Sequence, residues 1–282
     1  MPEATHLPLE DEVGDILEKA MRRLGLGPDQ AAARARVPAE RLRDAIDYRG
    51  TFSCEELGRL AAVLELNDVG LCALAAGRYP LPELGPLPFC IWPLRAPHGV
   101  GVANAYLVAE TGATRGLLFD SGADLADLES AWPKRITRVD AVFLTHLEQE
   151  HTGGLCGVLE RFGAEVAYVP AGVTVRCGAE MREGETRPFG SLAVTAYSTP
   201  GHAAAHNCYL IEARGRQVGP AVLVSGDLVF AGSVGGAYFS GEQLHAQVRR
   251  MLTTLPRDTV IAPGHGPLTT ADNELRFNPF VR

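Results

Sequence analysis

Between Thr145 and Gly154 the chain reads Thr145-His146-Leu147-Glu148-Gln149-Glu150-His151-Thr152-Gly153-Gly154. Four side chains able to bind a metal ion, His146, Glu148, Glu150 and His151, fall within six residues. They directly follow the apolar run Val139-Asp140-Ala141-Val142-Phe143-Leu144. A buried strand that ends in such a cluster presents its ligands at a sheet edge, and the two glycines mark a backbone turning closely past a neighbour. Three more fragments each follow a β-like run: Thr199-Pro200-Gly201-His202, Ser225-Gly226-Asp227 and Pro263-Gly264-His265-Gly266. Imidazole and carboxylate in these numbers suit divalent ions and the activation of water that such ions perform. Alternate residues of an extended segment point the same way, so 146, 148 and 150 are expected to converge on one face.

The elements that would hold these residues are short strands with helices between them. Strand-like runs occupy Ala105–Val108, Gly116–Asp120, Ala164–Val169, Leu192–Tyr197, Cys208–Ile211 and Ala221–Val224, with helical patterns at Leu155–Phe162 and Glu242–Leu255. Strands alternating with helices fit a layered α/β domain. Asp120, in Phe119-Asp120-Ser121-Gly122, closes one strand.

The fragments T-H-x-E-x-E-H, P-G-H, G-D and P-G-H-G together resemble the metallo-β-lactamase fold superfamily over roughly Pro88 to Arg282. The resemblance implies an αββα sandwich and a dinuclear centre. His146, Glu148 and His202 would hold one ion, and Glu150, His151 and His265 the other. Asp227 would bridge the two, and Asp120 would orient ligands from behind. Two positions depart from the family pattern: Glu148 stands where a histidine is usual, and Glu150 where an aspartate is usual. Glu148, Glu150, Asp227 and a bridging hydroxide would sum to about -4 and neutralise two divalent ions. Such an oxygen-rich set favours iron or manganese over zinc. The H-x-E-x-acid order is similar to that of the flavodiiron proteins, although no flavodoxin-like portion is present. The segment from Ala262 to Phe280 looks like that of glyoxalase II-like hydrolases, without the glutathione-binding extension. The activity implied is hydrolysis of an ester, thioester or similar small acyl substrate by a hydroxide on the metals. Two other classes stay open: a diiron or mononuclear iron oxidoreductase, motivated by Glu148, and a DNA-binding regulator whose metal domain senses a ligand.

The regulator class rests on the first part of the chain, which reads as five short helices. Ile16, Ala20 and Leu24 recur at helical spacing, and Pro28 is placed for a first turn. A third helix follows Pro38 with Leu42 and Ile46, Ser53 caps a fourth carrying Leu57, Leu60 and Leu64, and Asn67-Asp68 opens a fifth. The series resembles the Cro/C1-type helix-turn-helix module. Its third helix offers Arg41, Arg43 and Arg49 but also Glu40, Asp44 and Asp47. Carboxylates oppose the phosphate attraction that supplies most non-specific affinity. Packing or homodimerisation is therefore preferred to DNA binding. Residues 1–77 are expected as this helical domain, 78–88 as a Pro-rich linker and 89–282 as the metal-binding domain, able to stand without residues up to Gly77.

Bulk properties are those of an ordinary globular chain. The net charge of -8 over 282 residues argues against a polyanion-binding surface. No apolar run approaches the roughly 20 residues a bilayer requires. Residues Met1–His6 lack the pattern of a secretory signal, so a cytoplasmic protein is expected, with His6 in a terminal tail. The cysteines at 54, 72, 90, 156, 177 and 208 form no C-x-x-C pair and read as reduced thiols, mostly in the core. Among other histidines, His206, four residues after His202, either reaches the pocket or makes an ordinary polar contact; His98, on the glycine-rich loop Pro97-His98-Gly99-Val100-Gly101, is placed to flank the cleft, with contact to substrate the minor reading; and His245, in a helical pattern, is expected to face solvent.

Overall fold

The computed structural model describes residues 7–98, 101–215 and 219–282. His6 and the Gly99–Val100 part of the glycine-rich loop lie outside them. Five helices come first: α1 (Val13–Leu24), α2 (Pro28–Ala35), α3 (Ala39–Ile46), α4 (Cys54–Leu64) and α5 (Asp68–Ala75). The expected punctuation operates here. Pro28 sits in the first turn of α2. Ser53 accepts from the Glu56 amide while the Glu56 carboxylate returns to the Ser53 amide, which satisfies two helix-end donors reciprocally. Asn67 caps α5 by accepting from the amides of Val69 and Gly70.

The remainder is two six-stranded sheets packed face to face. The first runs β1 (Cys90–His98), β2 (Gly101–Ala109), β3 (Arg115–Phe119), β4 (Arg138–Phe143), β5 (Ala167–Pro170) and β6 (Gly178–Met181) in spatial order. The second is ordered β14 (Thr269–Thr270), β13 (Val260–Pro263), β10 (Val222–Gly226), β9 (Asn207–Ala213), β8 (Leu192–Ser198) and β7 (Thr186–Phe189). A small ribbon pairs β11 (Val229–Phe230) with β12 (Ser233–Val234). Tyr106, Phe119 and Phe143 from the first sheet meet Val194, Tyr209, Ile211 and Val224 from the second in the core between them. The outer face of the first sheet is covered by α6 (Leu125–Ala131) and α8 (Leu155–Phe162). The other sheet is covered by α9 (Gly241–Thr254) and α10 (Ala271–Phe277). This is the expected αββα sandwich.

Central β4 pairs in parallel on both sides, with β3 and β5, and its last three residues are buried, as parallel strands covered on both faces require. Strand β8, next to the edge, instead alternates buried and half-buried residues. Strands β6, β7, β11, β12 and β14 are too short or too polar to stand out in the sequence, and β1 is interrupted by Pro93 and Pro97. The one-turn helix α7 (Gln149–Thr152) displaces the expected extended loop, so 146, 148 and 150 do not simply alternate along one face.

Helices and sandwich are joined closely. Phe277 and Phe280 pack into the core of the five-helix unit. Asn67 donates its amide N–H to the Pro279 carbonyl (2.7 Å) and its side-chain amide to the carbonyls of Arg276 and Val281. The Pro-rich stretch is anchored at its start: Tyr79 is buried, its hydroxyl donates to Glu274, and the Pro80 carbonyl accepts from Asn273. Two expectations are corrected. Only Cys208 among the six cysteines is buried, because the others lie on helix surfaces, loops or strand ends. His245 is half-buried against Phe280, since α9 packs on the C-terminal segment. Among the described residues no helix is long and apolar enough to cross a membrane.

Candidate metal centre

Four strands deliver their final residues to one end of the sandwich. Strand β4 leads to Thr145 and His146, β8 to Thr199 and His202, β10 to Asp227, and β13 to Gly264 and His265. Glu148 precedes α7, whose single turn carries Glu150 and His151. The backbone at Gly264 passes so close to Asp227 that a Cβ would overlap the Asp227 carboxylate and crowd His151. Glycine there is a condition of the geometry. The glycines after His151 press in the same way on the Ala123 and Ser121 carbonyls.

Two groups of ligand atoms result. Atoms of His146, Glu148, His202 and Asp227 lie within 4.8 Å of one another, and so do atoms of Glu150, His151 and His265. Asp227 touches both groups. Its Oδ1 is 3.5 Å from His151 Nε2, and its Oδ2 is 3.5 Å from His265 Nε2 and 3.7 Å from His202 Nε2. Glu148 turns inward, with Oε1 3.0 Å from His202 Nε2 and Oε2 4.0 Å from His146 Nε2.

The hydrogen-bond pattern shows which atoms are free to coordinate. His202 Nδ1 meets the Gly236 carbonyl at 2.8 Å and His265 Nδ1 meets the Val102 carbonyl at 3.0 Å. A carbonyl only accepts, so each Nδ1 carries the proton and each Nε2 presents a lone pair to the centre. His146 Nδ1 lies 2.9 Å from Thr145 Oγ1, which in turn faces both Asp120 oxygens at 3.0–3.1 Å. Asp120 also accepts from the Thr145 amide and lies 3.3 Å from His151 Nδ1. It stands behind the ligands, at a positive φ of 56° that its short polar side chain tolerates better than most. The atoms left buried and unpartnered include Nε2 of His146, His151 and His202 and Oδ1 of Asp227. Buried polar atoms rarely remain so. Their convergence, with nitrogens and carboxylate oxygens 3–4 Å apart but outside hydrogen-bond geometry, is the pattern of co-ligands around a cation. The residues present therefore fit a metal centre.

The same groups set the charge of the site. Burial would raise the Asp227 carboxyl, yet His151, His265, His146 and His202 around it hold it far below the usual carboxylate range. Burial opposes a charge on His151, but Asp120, Asp227 and Glu150 outweigh it and lift the imidazole to about 9. Burial, reinforced by His151, keeps His146 well below its ordinary value and hence neutral.

Several neighbours carried weak sequence signals or none. His206 is buried, bonded through Nδ1 to Thr199 Oγ1 at 2.7 Å, and its ring lies 5.3 Å from that of His146. His98, at the end of β1, places Nε2 3.3 Å from Glu150 Oε1. Glu10, before the first helix, sits 3.8 Å from His265 Nδ1. Tyr238 lies over His202, with ring centroids 5.1 Å apart. None of these belongs to a ligand motif, and Glu10 arrives from more than 250 residues away.

Known proteins agree with the architecture. A hydroxyacylglutathione hydrolase of Acidiphilium cryptum (strain JF-5) is 34% identical over 166 residues, spanning 57% of this chain and 63% of that protein. The probable metallo-hydrolase YqgX of Bacillus subtilis (strain 168) is 26% identical over 216 residues, 66% of this chain and 96% of that protein. The structure of TTHA1623, solved in a di-iron-bound form, superposes with a TM-score of 0.51 at 27% identity, covering 66% of this chain and 99% of that one. Residues 98–265, more than half of the chain, match the family model of the metallo-beta-lactamase superfamily, and the protein belongs to that superfamily.

Proposed function

We propose that the protein is a metallo-hydrolase that uses two metal ions to cleave an ester, thioester or similar acyl substrate. The observation that carries this reading is the convergence of two ligand groups on one buried carboxylate, Asp227. His146, Glu148 and His202 would hold the first ion, Glu150, His151 and His265 the second, with Asp227 shared. Metal ions held there would supply Lewis acidity and a lowered water pKa at neutral pH.

The protein's own groups do the rest. The Val102 and Gly236 carbonyls fix the histidine tautomers, and Asp120 holds Thr145 and His151 in place. Side-chain exposure of Glu148 reaches 36%, and His98 is half-exposed, so the centre opens to solvent on that side and a substrate enters there. The test is hydrolysis of a panel of acyl esters and thioesters by metal-loaded protein, with metal content measured in parallel. Two metals per chain with turnover of at least one acyl class supports the reading, and two metals with none refutes it.

Glu148 favours one second reading, a diiron oxidoreductase, because a third carboxylate suits iron. A visible spectrum of the iron form and oxygen-dependent turnover distinguish it. For the five-helix unit, which resembles a helix-turn-helix module, we infer a packing or dimerising role. Arg41 pairs with Glu56, Arg43 with Asp29, and Arg49 with Asp44 and Asp47. Arginines so paired attract phosphate weakly.

A further inference from the structure

Six large hydrophobic side chains are well exposed among the described residues; one of them, Tyr238, lies beside the ligand His202 and is followed directly by a second, Phe239. They are 73% and 53% exposed. Their loop is tied to the P-G-H ligand motif. The Phe239 amide donates to the Gly201 and His202 carbonyls, the Ser240 amide donates to the Gly201 carbonyl at 2.9 Å, and His202 Nδ1 bonds the Gly236 carbonyl. The Tyr238 ring folds back over Gly236, where a Cβ would come within 2.8 Å of the ring carbon Cζ. Glycine at 236 thus makes room for the ring beside His202. The ring is exposed aromatic surface 5.1 Å from a ligand imidazole, and an apolar group laid on it would lose its contact with water. The opposite side of the centre is polar, with His98 against Glu150.

We propose that Tyr238 and Phe239 form an apolar subsite for the acyl chain of the substrate, so that the protein prefers neutral, medium-length alkyl or aryl acyl groups. The Tyr238 ring offers a charged acyl chain no counter-ion, so a neutral chain is favoured there. An apolar chain laid on the Tyr238 ring covers surface that is otherwise wet. Each methylene so buried raises kcat/KM by up to about fourfold. The inference rests on the acyl-hydrolase reading but is tested separately from it.

The experiment uses the full chain loaded with metal, a series of 4-nitrophenyl esters from acetate to octanoate with benzoate, and calorimetric binding of octanoate against acetate. The wild-type protein should favour octanoate over acetate in both measurements. Tyr238→Ala should lower that ratio by about tenfold, within the range one or two methylenes in a pocket command. Tyr238→Phe should keep it, and Gly236→Ala, which displaces the ring, should lower it. Metal content serves as the folding control. Hydrolysis without chain-length preference, or a ratio that Tyr238→Ala leaves unchanged, overturns the subsite and spares the hydrolase reading. Octanoate preference in binding without turnover of any ester or thioester supports the subsite and overturns the hydrolase reading. A wild-type dimer that Tyr238→Ala converts to monomer would assign the aromatic pair to a subunit contact and overturn the proposal.

Discussion

Asp227 is the one carboxylate within reach of both ligand groups, so its loss should be felt twice. Asp227→Ala is expected to take metal content well below two ions per chain and to reduce hydrolysis by more than about 100-fold, since groups that merely orient ligands are worth about 10- to 100-fold. Elemental analysis beside steady-state kinetics checks both, and a variant with two ions and full turnover would remove Asp227 from the centre. Glu148 sets a second expectation. With three carboxylates around the centre, iron and manganese should compete with zinc, and Glu148→His should move the balance towards zinc. Equilibrium competition decides it; a zinc preference identical in both proteins rejects a role for Glu148 in metal choice. The residues that point into the centre were legible because they occupy compact motifs at strand ends. Glu10 and Tyr238 were not, because they come from separate segments that only tertiary folding brings together, and a one-dimensional pattern records no such meeting; His98 was marked as flanking the cleft, but not its contact with Glu150.

Elements differ in the same way. All five N-terminal helices were readable, and the starts of four of them, at Pro28, after Pro38, after Ser53 and after Asn67, were readable too, since caps and apolar spacing are local properties. Strands with continuous apolar runs, such as β4 and β10, were readable too. Edge strands β6 and β7, mostly exposed, carry no such run, and the one-turn α7 is too short for any period to show. The junction between α5 and α10 was invisible for a further reason: it depends on a glycine. A Cβ at Gly70 would overlap the Phe277 carbonyl. Gly70→Ala should therefore push the two helices apart and cost about 2 kcal/mol, read as a lower urea midpoint. Unchanged stability would mean that this junction is looser than the contacts indicate.

At the scale of the molecule, the Pro-rich stretch does not act as a free spacer. Removing residues up to Gly77 would uncover Phe277 and Phe280, strip Asn67 from the C-terminal backbone, and take away Lys19, which donates to the Val234 carbonyl, and Asp11, which accepts from Ser233. Two phenylalanines account for about 3 kcal/mol at the lower end of their burial value. A melting temperature lower by roughly 10 °C follows, in place of the independent stability that the sequence suggested. A truncated protein that melts with the full chain would restore the two-unit view. Two histidines carry a pH dependence, half-buried His245 at this seam against Phe280 and buried His206 beside the metal centre. Burial, then Arg23 and Arg249, lowers His245 to about 4, and burial, then His202, lowers His206 to about 3. Both bind protons less readily folded than unfolded, so stability is whole above about pH 6.5 and declines as pH falls towards 4 and then 3. His245→Gln should flatten the upper part of that decline in denaturation curves taken across this range. A slope unchanged in the variant would exclude His245 as its source.

The bond from Asn67 to the Arg276 carbonyl closes a span of 209 residues. At about 5–20 residues per second, a ribosome needs roughly 10–40 s to travel between them. For that interval the nascent helical unit has its own caps and most of its core, but its α5 face waits for Phe277 and Phe280. The helical unit, made before the segment that closes it, is therefore among the last parts to be finished, with its seam open until then.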